Sequence, residues 1–103
     1  MPQIELPKAK VADFCRRWKI SEFAFFGSVL REDFRSDSDI DVLVTFLPDA
    51  AWSLFDHVEM RDELTQILGH EVDLLSHDAI AQSDNSARRR AILGSAEVVH
   101  AAA

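Results

Sequence analysis

The chain has 103 residues, enough for one domain with a modest core and too few for a second lobe. Hydrophobic residues make up 48% and charged residues 28%, a globular composition that excludes disordered and collagen-like classes. The formal net charge of −7 opposes broad binding to nucleic acid, which needs a basic footprint.

Apolar runs such as Val42-Leu43-Val44 are far shorter than a membrane span. The start, Met1-Pro2-Gln3-Ile4-Glu5, lacks the basic head and apolar stretch of a signal peptide, so the expected location is the cytoplasm. Cys15 is the only cysteine, which rules out an internal disulfide and a cysteine-based metal cluster and leaves packing as its expected role.

Positions 7 to 18 predict a helix, with Pro7 in the first turn and Val11, Phe14, Cys15 and Trp18 spaced as one buried face. Phe23-Ala24-Phe25-Phe26 predicts a buried strand that stops at Gly27. Ser28 is placed to cap a short helix from Val29 to about Phe34, and 35–38 is polar loop. Asp39 to Phe46 is the strongest strand pattern, with Ile40, Val42, Val44 and Phe46 on one face and Asp39, Asp41, Leu43 and Thr45 on the other. Trp52 to Leu68 predicts the longest helix, with Leu54, Val58, Leu64, Ile67 and Leu68 as its inner stripe and Gly69 as its C-terminal cap. Glu71 to Leu75 reads as a strand and Ser86 to Leu93 as a helix carrying Arg88, Arg89 and Arg90; 96–100 fits either a last strand or a helical tail. The interleaving of helices and strands points to an α/β (α+β) layer arrangement, a sheet covered by helices.

The chemistry concentrates in Asp39-Ile40-Asp41. Residues i and i+2 of a strand share a face, and their side chains start roughly 6 to 7 Å apart. Carboxylates leaning together from such positions can grip divalent ions about 3.5 to 4 Å apart, the spacing used in phosphoryl chemistry. Two acids on one face of an apolar strand are unfavourable without a cation, unless they sit on a solvated edge. Ser28, preceded by Gly27, is separated from Asp39 by ten residues. A glycine there lets backbone approach a phosphate closely, and a helix start points free N–H groups at an anion. A third acid, Asp73, sits between Val72 and Leu74, and reaches the same pocket if its strand lies beside the Asp39–Thr45 strand. Magnesium prefers hard oxygen ligands of this kind, and it would also offset the repulsion between an acidic protein and a nucleotide.

The stretch from Phe26 to Val44, with Gly27-Ser28, ten intervening residues and then Asp39-Ile40-Asp41, resembles the minimal nucleotidyltransferase (MNT) branch of the DNA polymerase β-like nucleotidyltransferase superfamily. The similarity continues through Ser53-Leu54-Phe55-Asp56, Glu71-Val72-Asp73-Leu74 and the arginine-rich segment before Ile92-Leu93, nearly the whole chain. The resemblance implies a mixed sheet flanked by helices and Mg-dependent nucleotidyl transfer from ATP. It assigns Gly27 and Ser28 to the triphosphate, Asp39 and Asp41 to two magnesium ions, and Asp73 to the metal site and to activation of the acceptor hydroxyl. Arg31 matches a basic residue common in the branch, suited to a phosphate contact or to bracing the acids, and Ser38 matches the serine usual before the first aspartate. Glu32 stands where many members have glycine.

The branch is typically paired with a helical HEPN protein as antitoxin and toxin, so the resemblance implies transfer of AMP to a tyrosine of a HEPN toxin within a hetero-oligomer. The chain itself contains no tyrosine. Two other readings stay open: an antitoxin that neutralises its partner by contact alone, and an enzyme acting on a small molecule in the manner of aminoglycoside nucleotidyltransferases. Trp52, the acidic helix around Glu59 and Glu63, and Arg88-Arg89-Arg90 are candidate partner contacts, with a core cap or a solvated helix face as the alternatives. His57, His70, His77 and His100 show no metal-ligand spacing and read as surface or core residues.

Overall fold

The computed structural model describes residues 6–31, 34–35 and 38–101. In chain order the elements are helix α1 (Lys8–Arg17), strand β1 (Ile20–Phe26), a 3-10 turn (Gly27–Leu30), β2 (Ile40–Phe46), α2 (Leu54–Leu68), β3 (Val72–Ser76), α3 (His77–Ala81), α4 (Ser86–Ser95) and β4 (Glu97–Ala101). The strands form a four-stranded sheet in the order β3-β2-β1-β4. Strand β1 is antiparallel to both β2 and β4, whereas β2 and β3 run parallel. The parallel pair needs a crossover, and α2 supplies it. No helix among the described residues is long and apolar enough to cross a membrane.

One face of the sheet carries the main core. Phe23, Phe25, Ile40, Val42, Val44, Val72 and Leu74 alternate along three strands and pack against Val11, Phe14 and Cys15 of α1 and Met60 and Leu64 of α2. Each such side chain contributes roughly 1.5–3 kcal/mol when fully buried, so this layer dominates the stability. The opposite face has a smaller cluster in which Ala24, Phe26 and Leu43 lie under Ile80 of α3 and Ile92 of α4.

Several expectations need correction. The helix expected from Val29 to Phe34 is a single 3-10 turn over Gly27–Leu30, with Phe34 outside any helix; 32 and 33 fall outside the described residues. Ser28 therefore lies within a single turn and not at the start of an α-helix. Fully buried Val29 anchors the segment in the core, and short 3-10 pieces suffice where one turn does the packing. In α2 the inner stripe runs through Met60 and Leu64, with Ile67 and Leu68 packed beside them. Extending it backwards by helical steps reaches His57 and Ser53, so Leu54 and Val58 face outward. Helix α3 carried no apolar periodicity of its own and was not expected; β1 starts at Ile20, and 97–101 resolves as a strand.

The ends of α2 follow local rules. Ser53 and Asp56 form a reciprocal capping box, and Gly69 closes the helix at φ 72°. Cys15 is fully buried among apolar neighbours, which pushes its thiol up to about 12 and keeps it a packing group.

Candidate active site

Strand β1 ends at Phe26, whose register partner across the sheet is Asp41. The chain then bends at Gly27 with φ 71°, a conformation that disfavours any side chain. A second constraint acts on the same residue. A Cβ built on Gly27 would overlap Oδ2 of Asp41, with the carboxyl carbon at 3.3 Å. The Asp41 carboxylate thus lies directly over the bare glycine backbone.

Asp41 is also in register with Asp73 on the parallel strand β3. Neighbouring strands lie about 4.8 Å apart, and aligned residues of a pair project from the same side. That side is the face of Leu43 and Leu75, opposite the main core. Asp41 is half-buried and Asp73 exposed. Asp39 immediately precedes β2, is exposed, and by alternation belongs to Asp41's face. Strands β2 and β3 are neighbours, as the expectation for Asp73 required: Phe26, Asp41 and Asp73 are level across three adjacent strands, and Gly27 follows Phe26 at the mouth of β1. Like charges placed side by side in a sheet repel, so this arrangement favours a cation.

Among the described residues no three His, Cys, Asp or Glu side chains are gathered tightly enough to form a ready-made ion cage. Magnesium sites at nucleotides seldom need one, because one or two carboxylates, substrate phosphates and waters complete the shell.

The segment entering Asp39 is held by contacts that no local pattern announces. The Ser38 N–H donates to the Arg35 carbonyl at 3.0 Å, and the Arg35 N–H donates to the Ser38 hydroxyl at 3.2 Å. His70 Nδ1 donates to the Ser38 carbonyl at 3.3 Å while its ring packs 5.4 Å from Phe34. The Ile40 N–H donates to the Glu71 carbonyl at 2.8 Å, which starts the parallel pairing. Ser38 therefore closes a turn ahead of Asp39, and His70 clasps that turn from the start of β3. Arg31 is exposed just beyond the 3-10 turn.

The other candidate contacts resolve differently. Trp52 is a core cap: its indole N–H donates to the Trp18 carbonyl at 2.8 Å, and the two indoles meet edge-on at 5.0 Å. Glu63 accepts from the Arg17 guanidinium and from the Trp18 indole N–H at 3.2 Å, tying α2 to α1. The hydrogen bond from Arg17 holds the Glu63 carboxyl below the usual range, and Arg17 does the same to Asp13. His57 donates from Nε2 to the Leu74 carbonyl at 3.0 Å. Arg89 donates to the Ser83 carbonyl at 2.8 Å, whereas Arg88 and Arg90 are exposed.

Residues 8–99 match the family described as a nucleotidyltransferase domain. The chain is 36% identical over 73 residues to a protein of Methanocaldococcus jannaschii that bears the name of a protein adenylyltransferase, covering 71% of this chain and 76% of that one. Further relatives from that organism are matched over 63% and 64% of their own length. Among solved structures, a toxin–antitoxin crystallised with AMP-PNP superposes with a TM-score of 0.69 at 20% identity, covering 94% of this chain and 75% of that one. A complex of a tri-AMPylated Shewanella oneidensis HEPN toxin with its MNT antitoxin superposes at 0.61 and 18% identity, covering 92% and 70%. At such identities the likeness concerns the fold.

Proposed function

The chain belongs to the nucleotidyltransferase domain family, and from that premise we propose that it is an antitoxin that transfers AMP from ATP to a tyrosine of a HEPN toxin. The observation that carries the reading is Asp41 itself, in register with Asp73 and with its carboxylate seated over Gly27, a glycine that has no room for a side chain. The M. jannaschii relative named as a protein adenylyltransferase supports AMP as the group transferred, and the AMPylated HEPN toxin in the similarly folded complex supports a HEPN protein as the acceptor.

In this reading the Gly27-Ser28 backbone cradles the triphosphate, with Arg31 and Ser38 at its margin. Asp39, Asp41 and Asp73 would hold two magnesium ions. When bound, these ions neutralise phosphate charge and stabilise the leaving pyrophosphate. The acceptor hydroxyl oxygen bonds to the α-phosphorus, the bond to pyrophosphate breaks, and the hydroxyl proton passes to Asp73. Positioning and charge neutralisation do most of the work in such displacements. An acidic surface of net charge −7 can admit a nucleotide only with such local compensation.

The test is to look for a HEPN gene beside that of this chain, to incubate its product with the chain, ATP and magnesium, and then to weigh both proteins intact. The expected result is one or more AMP groups on the HEPN protein, lost in Asp41→Asn. Neutralisation of the HEPN protein that survives Asp41→Asn without any added mass would assign the chain to contact inhibition. Modification of an aminoglycoside with no protein labelled would assign it to small-molecule chemistry.

A further inference from the structure

A groove of about 420 Å³ runs between the start of α2 and the end of β3, lined by Trp52, Leu54, His57, Leu74, Leu75 and Ala79. At its lip Leu54 is 77% exposed and Phe55 86% exposed, and Val58 follows on the same side of the helix at 38%. An aromatic and two aliphatics grouped in water mark a surface that another molecule covers. The lip is rigid. The Ser53 N–H donates to Asp56 at 2.9 Å and the Asp56 N–H donates back to the Ser53 hydroxyl at 3.3 Å, so the first turn of α2 is fixed before anything docks.

We propose that this groove and lip are the docking surface for the acceptor protein; the inference rests on the adenylyl-transfer reading above. Three observations fix the occupant. The first is continuity with the acids. Strand β3 carries Asp73, and Leu75 of the groove sits two residues further on the same face, about 7 Å along the strand. A protein seated in the groove is delivered beside the aspartates, whereas a free small molecule gains nothing from a remote apolar lip.

The second concerns the mode of docking. The Ile40–Glu71 hydrogen bond turns alternate β3 backbone groups toward β2, so the Leu74 carbonyl points to the outer edge of the sheet. His57 occupies that carbonyl at 3.0 Å. The edge is thereby blunted against strand addition, and the partner must engage through side chains, as a helix in a groove does. The third is charge. Exposed Glu59 and Asp62 lie one helical turn from Phe55 and Val58, and exposed Asp78 borders Ala79. An acidic rim around an apolar centre fits a partner whose apolar helical ridge is flanked by lysine or arginine, with the rim guiding encounter and the centre holding it.

The experiment uses the full chain and the HEPN protein identified in the test above, with binding measured by calorimetry in the absence of nucleotide. The double variant Leu54→Ser/Phe55→Asp removes the lip at exposed positions and should melt like the wild type. We expect its affinity for the HEPN protein to fall about 100-fold, as for central aromatic anchors, while Mg·ATP affinity stays within twofold. A control variant, Leu93→Asp on α4, should bind as the wild type does. Retention of affinity within threefold by the double variant would overturn the proposal, as would a wild type that binds no HEPN protein. Light scattering that shows a wild-type dimer dissolved by the double variant would also overturn it, in favour of a second copy of this chain. A wild type that binds the HEPN protein through this lip yet adds no AMP would sink the catalytic reading alone.

Discussion

Replacing Gly27 with alanine isolates the contact on which the site is built. The new methyl group faces two penalties. At φ 71° a Cβ costs about 1–2 kcal/mol in backbone strain. The same atom would overlap Oδ2 of Asp41, and turning that carboxylate off its rotamer costs about 0.5–1.5 kcal/mol more. The sum, about 1.5–3.5 kcal/mol, corresponds to a fall in melting temperature of roughly 6–28 °C for a chain of this size. Gly69 provides the internal standard. It has nearly the same backbone angle, φ 72°, but nothing lies within 4 Å of an added Cβ. Gly69→Ala should therefore show the backbone penalty alone and transfer AMP at the wild-type rate. Gly27→Ala should lose more stability and at least about 100-fold in transfer, the scale expected when a catalytic group moves by an ångström. Urea melts and intact-mass time courses report the two quantities. Equal stability loss in the two variants, with transfer retained in Gly27→Ala, would refute the argument that Asp41 is seated on the glycine.

Three further outcomes follow from the same geometry. Asp73→Asn removes one of two aligned carboxylates, so in the absence of divalent ions it should leave stability unchanged or raise it by up to about 1 kcal/mol; the stabilisation by Mg·ATP seen in a thermal shift assay should shrink or vanish. His70→Ala should slow transfer by about tenfold or more with little change in melting, because it frees the Ser38–Asp39 turn; His70→Asn, whose amide N–H can replace the Nδ1 donor to the Ser38 carbonyl, should recover most of the rate, whereas His70→Gln should not. Glu63 has a folded-state pKa depressed by the hydrogen bond from Arg17. Its contribution is fully present above the unfolded glutamate value of 4.5 and is lost as pH falls through the lower folded value. Glu63→Gln should accordingly flatten the acid limb of a stability–pH profile below about pH 4.5, with no change near neutrality in that slope.

The sheet was legible because alternation speaks for itself where one face is buried. Ile40, Val42 and Val44 against Asp41 and Leu43 can be satisfied only by a strand with one core-facing side, and the register that brings Asp41 level with Asp73 follows once β2 and β3 are neighbours. The left-handed cap at Gly69 was legible because it is decided within the last turn of the helix, whereas α2, expected from Trp52, starts at Leu54 behind the Ser53–Asp56 box. The inner stripe of α2 was legible only in its second half: Leu64, Ile67 and Leu68 face the core as expected, whereas Leu54 and Val58 do not. Leu54 and Phe55 look like core residues by hydropathy, but what a helical residue faces is set by the surface the helix lies on. That surface favours Met60 and Leu64 over Leu54.

The same distinction separates the acids from the residues that hold them. Aspartates at strand positions announce themselves through composition, since two carboxylates in an apolar strand need a reason. His70 has no such signature. It reads as one of several unremarkable histidines until the fold brings it beside Ser38 and Phe34, more than thirty positions away in sequence for each. Its role depends on a backbone carbonyl that every residue type offers equally, so no substitution of Ser38 would have exposed it. Placement of the first aspartate therefore rests on the start of β3, the strand that carries Asp73. A change that slides β3 by one residue would turn Asp73 to the core face and release the turn before Asp39 in a single step. The carboxylates of β2 and β3 are thus coupled through backbone, and a double-mutant cycle between His70→Ala and Asp73→Asn should show non-additive loss of Mg·ATP binding, where independent sites would add.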